Sequence, residues 1–302
     1  MQGVVGTANH LETCPDLGPE CASNPKTPPI YHHVGLFVVD TPLDVSLGVR
    51  PWLAVEARID VRVVKTTPTF TSLSGQMLSR PNDIHHHDET LAGPTDSWLV
   101  LRAGAARGGL TTAARLGVSL PTGKTEPNPY VLAAEGKWHE HIQFGSGTLM
   151  PIVGGAIAYA LPSVELEASL LAIFSLYAND RGYRAPTQVF PSARVTVPFL
   201  GGALRPYVGA DLAAATVELW DGVVGPESPV GRADVLVGGG VGWAFSAPWT
   251  VDVNVRGRAA SLTNAVTWDY PGVVWIGLGA QVDVPRAPAA GPTRATPGPP
   301  QY

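Results

Sequence analysis

The sequence predicts an all-β fold, an antiparallel transmembrane β-barrel of about 12 strands with short periplasmic turns and long external loops. Between residues 53 and 63 every odd-numbered position is apolar, whereas the even-numbered positions from Glu56 to Arg62 are all charged. Successive side chains of a strand point to opposite faces, so this segment has one apolar face and one charged face. Similar alternation recurs along the chain, and short and long connections alternate between the predicted strands.

Composition restricts the class of protein further. Charged residues make up only 15% of the 302 residues, and 34 are glycine. Few charges and much glycine suit a sheet with a lipid-facing outer surface and a crowded inner surface. No apolar run reaches the roughly 18 residues that a spanning helix needs, which argues against a helical membrane protein. The net charge of −5 and the lack of a basic patch argue against a nucleic-acid partner.

The strands are expected in order from residue 30 onward. They are predicted at 30–40, 43–50, 53–65, 98–107, 111–120, 149–161, 164–177, 189–199, 204–220, 234–245, 249–261 and 273–284. Tight turns after residues 50, 107, 161, 200 and 246 alternate with long loops at 66–97, 121–148, 178–188, 221–233 and 262–272. The short link at 40–42 is the exception. An even strand number places both chain ends in the periplasm, and a soluble β-sandwich is the alternative.

Three domains are predicted on this basis. Residues 1–29 are proline-rich and form an irregular periplasmic leader, residues 30–284 form the transmembrane barrel, and residues 285–302 form a Pro/Ala-rich disordered tail. The leader carries both cysteines of the chain, Cys14 and Cys21. A local disulfide between them is expected in an oxidising compartment, and two free thiols are the alternative.

Tryptophans are expected to form two girdles at the two membrane surfaces. The short-turn girdle consists of Trp52, Trp243 and Trp249. The long-loop girdle consists of Trp98, Trp220, Trp268 and Trp275.

The charged face of each strand must then line the lumen. The predicted pore-lining residues are Glu56, Arg58, Asp60, Arg62, Arg102, Arg115, Glu165, Glu167, Arg194, Arg256 and Arg258. One interpretation is a constriction that selects solutes by charge and size. The other is a purely structural ladder of salt bridges that fills a narrow barrel.

Histidines concentrate in two of the long loops. His85, His86 and His87 precede two acidic residues in the first long loop, and His139 and His141 flank Glu140 in the second. Imidazoles with carboxylates can bind zinc, copper or nickel, so these five histidines are candidate metal ligands; a merely hydrophilic loop is the alternative. His32 and His33 are expected near the periplasmic end, away from this cluster.

Two short segments resemble a known family. The first is 116–124, where a strand ends in Leu-Pro-Thr-Gly, and the second is Phe-Gly-Ser-Gly-Thr at 144–148, followed by Pro151 and Ile152. Together with the hairpin at 48–57 they resemble the outer-membrane proteins of the "meta-pathway of phenol degradation" type, over roughly residues 43–160. The resemblance implies an outer-membrane channel, because members of that family are regarded as such channels, and some of them are encoded beside aromatic-degradation genes.

The functional prediction is therefore a channel in a Gram-negative outer membrane for passive uptake or export of a small solute, aromatic or otherwise hydrophobic. Its partners are outer-membrane lipid and that solute, with no cofactor. No nucleophile–base pair stands out, so no enzyme activity is expected. The alternatives are a closed structural or adhesion barrel that acts through its external loops, and a metal-capturing outer-membrane protein.

Overall fold

A computed structural model describes residues 1–13, 24, 26–80, 83–225, 231–263 and 268–282. The strands are β1 (Gln2–Glu12), β2 (Ile30–Arg50), β3 (Leu53–Ser72), β4 (Met77–Leu78), β5 (Glu89–Pro94), β6 (Ser97–Arg107), β7 (Leu110–Leu120), β8 (Met150–Ala160), β9 (Glu165–Ile173), β10 (Tyr183–Arg184), β11 (Gln188–Thr196), β12 (Leu204–Ala215), β13 (Leu219–Trp220), β14 (Arg232–Ser246), β15 (Trp249–Ser261), β16 (Trp268–Asp269) and β17 (Gly272–Ala280). One α-helix, Pro129–Ala134, and one 3₁₀ turn, Leu200–Gly202, complete the described elements. Within these residues, no helix combines the length and the apolar character needed to cross a membrane.

Twelve of the described strands close into an antiparallel barrel, which confirms the predicted fold class. The order around the barrel is β1, β17, β15, β14, β12, β11, β9, β8, β7, β6, β3 and β2, and the pairing of β1 with β2 closes the ring. The short strand β5 continues the line of β6 along β3, so this part of the wall extends beyond the barrel at the end where the long loops lie.

The outer surface of the barrel is apolar. Residues directly opposite each other in a ladder share a face, so the registers assign each side chain to the inside or the outside. The outward positions carry large apolar side chains that are exposed; among them are Val45, Leu47, Ile59, Val61, Leu99, Leu101, Leu116, Val153, Ile157, Leu170, Val208, Val253, Val255, Ile276 and Leu278. An outward apolar band of this kind is the surface that a membrane-spanning barrel presents to lipid.

The start of the chain differs from the prediction. The leader assignment is wrong for Gln2–Glu12, which form barrel strand β1 between β2 and β17. The predicted strands at 30–40 and 43–50 are one continuous strand, β2, which pairs with β3 from Ile30 to Arg50. The count of twelve is reached because this merger removes one strand and β1 adds one. The two cysteines and residues 285–302 lie outside the described residues, so the disulfide and the tail remain predictions.

The two predicted tryptophan girdles have different outcomes. Trp52, Trp243 and Trp249 are exposed at the short-turn end, as predicted. The long-loop girdle is wrong: the Trp220 and Trp275 side chains are buried, and Trp98 faces inward beneath Arg58. The side chain of Trp268 lies outside the described set. A tryptophan near a strand end can therefore face the interior, as the even spacing between Trp98 and the inward Arg102 indicates.

Candidate functional site

The first half of the barrel interior contains a ladder of ion pairs on β2, β3, β6 and β7. Arg58 donates two hydrogen bonds to Asp44 at 2.7 and 3.0 Å, and Arg62 donates two to Asp40 at 2.7 and 3.1 Å. These pairs form because the β2–β3 register puts each carboxylate directly opposite its arginine. Two parallel N–H···O bonds hold both planar groups in fixed positions on the inner wall.

Glu56 connects the next two arginines of this ladder. Its carboxylate accepts a hydrogen bond from Arg102 Nε at 2.5 Å and another from Arg115 Nε at 2.9 Å. Arg102 and Arg115 lie directly opposite each other on β6 and β7, so the single Glu56 carboxylate offsets the repulsion between two positive charges. The interaction therefore joins three neighbouring strands.

The other half of the interior has a second network, centred on a tyrosine. Arg194 donates to Glu167 at 2.6 Å, and Arg256 donates to Asp211 at 2.7 Å. Both guanidinium groups lie near the ring of Tyr207, at 4.9 Å for Arg194 and 5.7 Å for Arg256, and such cation–ring contacts are attractive. The Tyr207 hydroxyl donates to Asp252 at 2.8 Å. Three more pairs in this half are Arg205 with Glu165, Arg232 with Asp234 and Arg258 with Asp269.

All eleven predicted pore-lining residues lie on the inner face of the barrel. Their role in solute passage stays a prediction. Sequence reasoning missed Asp40, Asp44 and Tyr207, although alternation along an unbroken β2 or β12 would have placed them on the same face. The side chains of Asp44, Arg62 and Arg205 keep about a third of their surface exposed even though they point inward. The interior is therefore not completely filled at these positions.

Toward the long-loop end the inner wall becomes apolar. The inward side chains Val100, Ile152, Leu171 and Ile173 are buried in one cluster. Residues from the loops, including Tyr183 and Trp220, pack onto this wall, and Tyr130, Trp98 and Phe190 border the cluster. This side of the mouth is thus lined and capped by apolar and aromatic groups, in contrast to the ion pairs nearer the short turns.

The two motif segments of the sequence meet at this mouth. Asp96, between β5 and β6, accepts hydrogen bonds from Gly123 N–H at 3.0 Å and from Ser146 N–H at 2.8 Å. Gly123 and Gly145 are so close that a Cβ on either would lie 2.6 Å from the other's Cα. The Leu-Pro-Thr-Gly and Phe-Gly-Ser-Gly segments therefore fasten the loop between β7 and β8 to the barrel wall.

The histidine loops form a buried cluster rather than a solvated one. His85, His139 and His141 each offer a ligand atom, and these atoms lie within 4.8 Å of one another. His139 Nε2 and His85 Nδ1 are 3.0 Å apart and share a hydrogen bond. His86 packs edge-on against His85, with the ring centroids 4.0 Å apart.

The expected positions of His32 and His33 near the periplasmic end are wrong, because Ile30–Arg50 is a single strand that starts at the long-loop end. His32 faces inward, 5.0 Å from the ring of His86, and its Nε2 pairs with the Glu12 carboxylate of β1. Glu12 Oε1 lies 3.9 Å from His85 Nδ1. His33 points away from the cluster and contacts Asn9.

Asp83 fixes the backbone of the first histidine loop. Burial alone would raise its pKa, but hydrogen bonds from the backbone N–H groups of His86 and His85 and from the Arg80 guanidinium outweigh burial and hold the pKa below its usual range. The carboxylate is thus held ionised by these hydrogen bonds, which position the backbone of His85 and His86.

The fifth predicted ligand, His87, lies in a different group. Its Nδ1 accepts a hydrogen bond from Trp138 Nε1 at 2.6 Å, and it lies 3.9 Å from Glu140. Burial and the adjacent Glu89 carboxylate raise the pKa of Glu140 to about 9. The structure therefore separates the five predicted ligands into a triad, the neighbouring His86 and the separate His87.

One solved structure with a similar fold supports the barrel architecture. Over 92% of this chain and 96% of the other, the structure is similar to the COG4313 outer membrane channel from Pseudomonas putida F1, with a TM-score of 0.54 and 10% sequence identity. The CymD monoaromatic hydrocarbon channel aligns over 92% of this chain and 86% of its own, with a TM-score of 0.40 and 8% identity. No family model and no curated protein matches the sequence. The expected likeness to outer-membrane channels is confirmed at the level of the fold.

Proposed function

We propose that this chain is a channel of a Gram-negative outer membrane that passes a small hydrophobic solute, aromatic solutes included, in either direction without energy input. The short turns face the periplasm and the long loops face outward. Lipid contacts the apolar outer belt, and the solute contacts the inner wall.

The apolar inner wall at the long-loop end is the observation that carries this proposal. The interior of a water-filled barrel is polar, since inward side chains are hydrated. Here Val100, Ile152 and Leu171 face inward, and aromatic groups border them. A solute that leaves water at this wall gains roughly 25 cal/mol for each Å² of apolar surface buried, whereas a sugar or an ion gains nothing comparable.

The similarity to the COG4313 outer membrane channel supports the same conclusion, because a similar fold over 96% of that protein's length belongs to a protein named as a channel. The resemblance of the two motif segments to proteins of the phenol-degradation type favours an aromatic solute.

Below the apolar mouth, the arginine ladder would form the second part of the path. Arg58, Arg62, Arg102 and Arg115 hold their carboxylate partners against the wall, so the remaining space is narrow and polar. In this proposal the ladder excludes large solutes and polar solutes of the wrong charge, while the mouth supplies the affinity.

A second candidate function is a closed barrel that acts as a structural or adhesion element through its loops. The loop residues Tyr183 and Trp220, which pack onto the inner wall, favour it, since they occupy the mouth in this arrangement. The two functions differ in one property, the passage of solute.

The test is solute flux into vesicles whose outer leaflet is lipopolysaccharide, which slows apolar solutes. Toluene should enter vesicles containing the folded protein faster than protein-free vesicles, and arabinose should show a much smaller gain. Val100→Ser should reduce toluene flux, whereas Leu101→Ser, on the opposite face of the same strand, should not. If neither solute enters faster than into protein-free vesicles, the closed structural barrel is the correct function.

A further inference from the structure

We propose that His85, His139 and His141, with Glu12, form a binding site for one divalent transition-metal ion such as Zn²⁺ inside the mouth of the barrel. This proposal concerns metal binding and does not depend on the channel function. To the histidine ligands predicted from the sequence it adds Glu12, a carboxylate on the first barrel strand.

The geometry already approaches that of a metal site. Tetrahedral Zn²⁺ with bonds of about 2.0–2.1 Å to imidazole nitrogen requires ligand atoms about 3.3 Å apart. The three histidine ligand atoms lie within 4.8 Å of one another, and His139 Nε2 and His85 Nδ1 are 3.0 Å apart. A metal ion would replace the proton that these two nitrogens share.

In this proposal Glu12 supplies the fourth ligand. Its Oε1 is 3.9 Å from His85 Nδ1, on the inner face of the wall, and it groups with His32 and Asp83, so the Glu12 side chain must turn toward the three histidines to bind the same ion. Three imidazoles and one carboxylate form a donor set suited to zinc, copper or nickel. His32, paired with Glu12, would orient the carboxylate from behind, as the outer partners of metal ligands commonly do.

Burial supports a binding role over a simple packing role. Glu12 and His32 are completely inaccessible to solvent, and His85 and His139 are nearly so. Removing a carboxylate from water costs several kcal/mol even when it is paired, and apolar residues of similar size would fill the same space at lower cost. A bound metal ion would compensate the cost of burying the Glu12 carboxylate among these imidazoles.

The ligands come from three separate parts of the chain. Glu12 lies on β1, His85 lies in the loop before β5, and His139 and His141 lie in the loop between β7 and β8. A bound ion would therefore fasten both loops to the barrel wall. Tyr130, whose ring lies 5.4 Å from that of His141, would transmit this restraint to the apolar cluster at the mouth.

The experiment is calorimetric titration of the metal-free full chain, folded in detergent, with Zn²⁺. A Cys14→Ser/Cys21→Ser background removes thiols that could bind zinc independently. One equivalent should bind. Changing an outer partner of a metal site typically weakens binding by about 10–100-fold, so loss of a direct ligand in His139→Gln should weaken it by at least about 100-fold. His33→Gln, outside the cluster, should bind as the parent does.

A second measurement needs no ligand variant and so covers the case in which His139→Gln does not fold. Electron paramagnetic resonance of one equivalent of Cu²⁺ bound to the parent protein should show coupling to imidazole nitrogens. Zn²⁺ should also protect the loop between β7 and β8 from proteolysis. The proposal is overturned if the folded parent binds no Zn²⁺, if His139→Gln binds it equally well, or if bound Cu²⁺ shows no nitrogen coupling.

Discussion

Replacing Glu56 by glutamine tests whether the ion pairs hold the barrel wall together. The Glu56 carboxylate bonds to Arg102 at 2.5 Å and to Arg115 at 2.9 Å, and little of the three side chains is exposed. In Glu56→Gln the neutral amide no longer balances two guanidinium groups that lie directly opposite each other on adjacent strands. The wall should therefore lose stability.

The magnitude follows from burial. Removing one partner of a buried pair costs about 3–5 kcal/mol, because the remaining charge is left without compensation. The interior retains solvent access, since 19% of the Arg102 side chain is exposed. We therefore expect Glu56→Gln to lower the free energy of unfolding by about 2–4 kcal/mol.

Reversible urea unfolding in lipid vesicles, followed by tryptophan emission, measures this loss. Glu165→Gln is the matched control: its partner Arg205 is 38% exposed, so the same substitution should cost only about 0–1 kcal/mol. A combined Glu56→Met/Arg115→Met variant removes a charge of each sign and should recover part of the stability. The reasoning is refuted if Glu56→Gln costs no more than Glu165→Gln.

Three further predictions use the same unfolding assay. Gly145→Ala places a Cβ 2.6 Å from the facing loop backbone and should lower the free energy of unfolding by about 1–3 kcal/mol. Gly3→Ala, with open space around it, should leave that free energy almost unchanged. Equal losses would contradict the tight loop contact. Leu116→Arg, near the middle of the strand on the outer face, should lower the free energy of unfolding in lipid by about 2–4 kcal/mol. Leu120→Arg, at the end of the same strand, should lower it by about 0–1 kcal/mol. Equal losses would argue against a lipid-facing belt. Tyr207→Phe removes a hydrogen bond to a carboxylate and should cost about 1–2 kcal/mol, and an unchanged midpoint would show that this bond contributes no stability.

Alternation was sufficient to predict the barrel and its inner face, because a period of two fixes the face of every residue once the strand is known. Alternation failed at Pro42, because the proline was given more weight than the pattern around it. Pro42 was interpreted as a turn, yet β2 continues through it. β1 pairs with β2 only from Gln2 opposite Asp40, so among the described residues Pro42 has a partner strand on one side alone, where a missing N–H is tolerated.

The error at Pro42 explains the mistakes about the site that concern β2. Breaking β2 at Pro42 left Asp40 and Asp44 out of the interior and moved His32 to the wrong end of the barrel. β1 was missed because its alternation is short and glycine interrupts it, so only the closure of the ring reveals it. The grouping of Glu12 with histidines from two loops depends on contacts between distant segments, which no spacing in the sequence encodes.

Single-channel recording in a planar lipid bilayer tests the central claim, that the barrel has a passage through the membrane. Purified, folded protein should produce discrete conductance steps, since the inward ion pairs leave solvent-accessible space beside them. Arg58→Ala with Arg62→Ala should change the step size, because these residues line the narrow polar part. A bilayer that contains the folded protein and shows no steps, together with no toluene flux, would contradict the account.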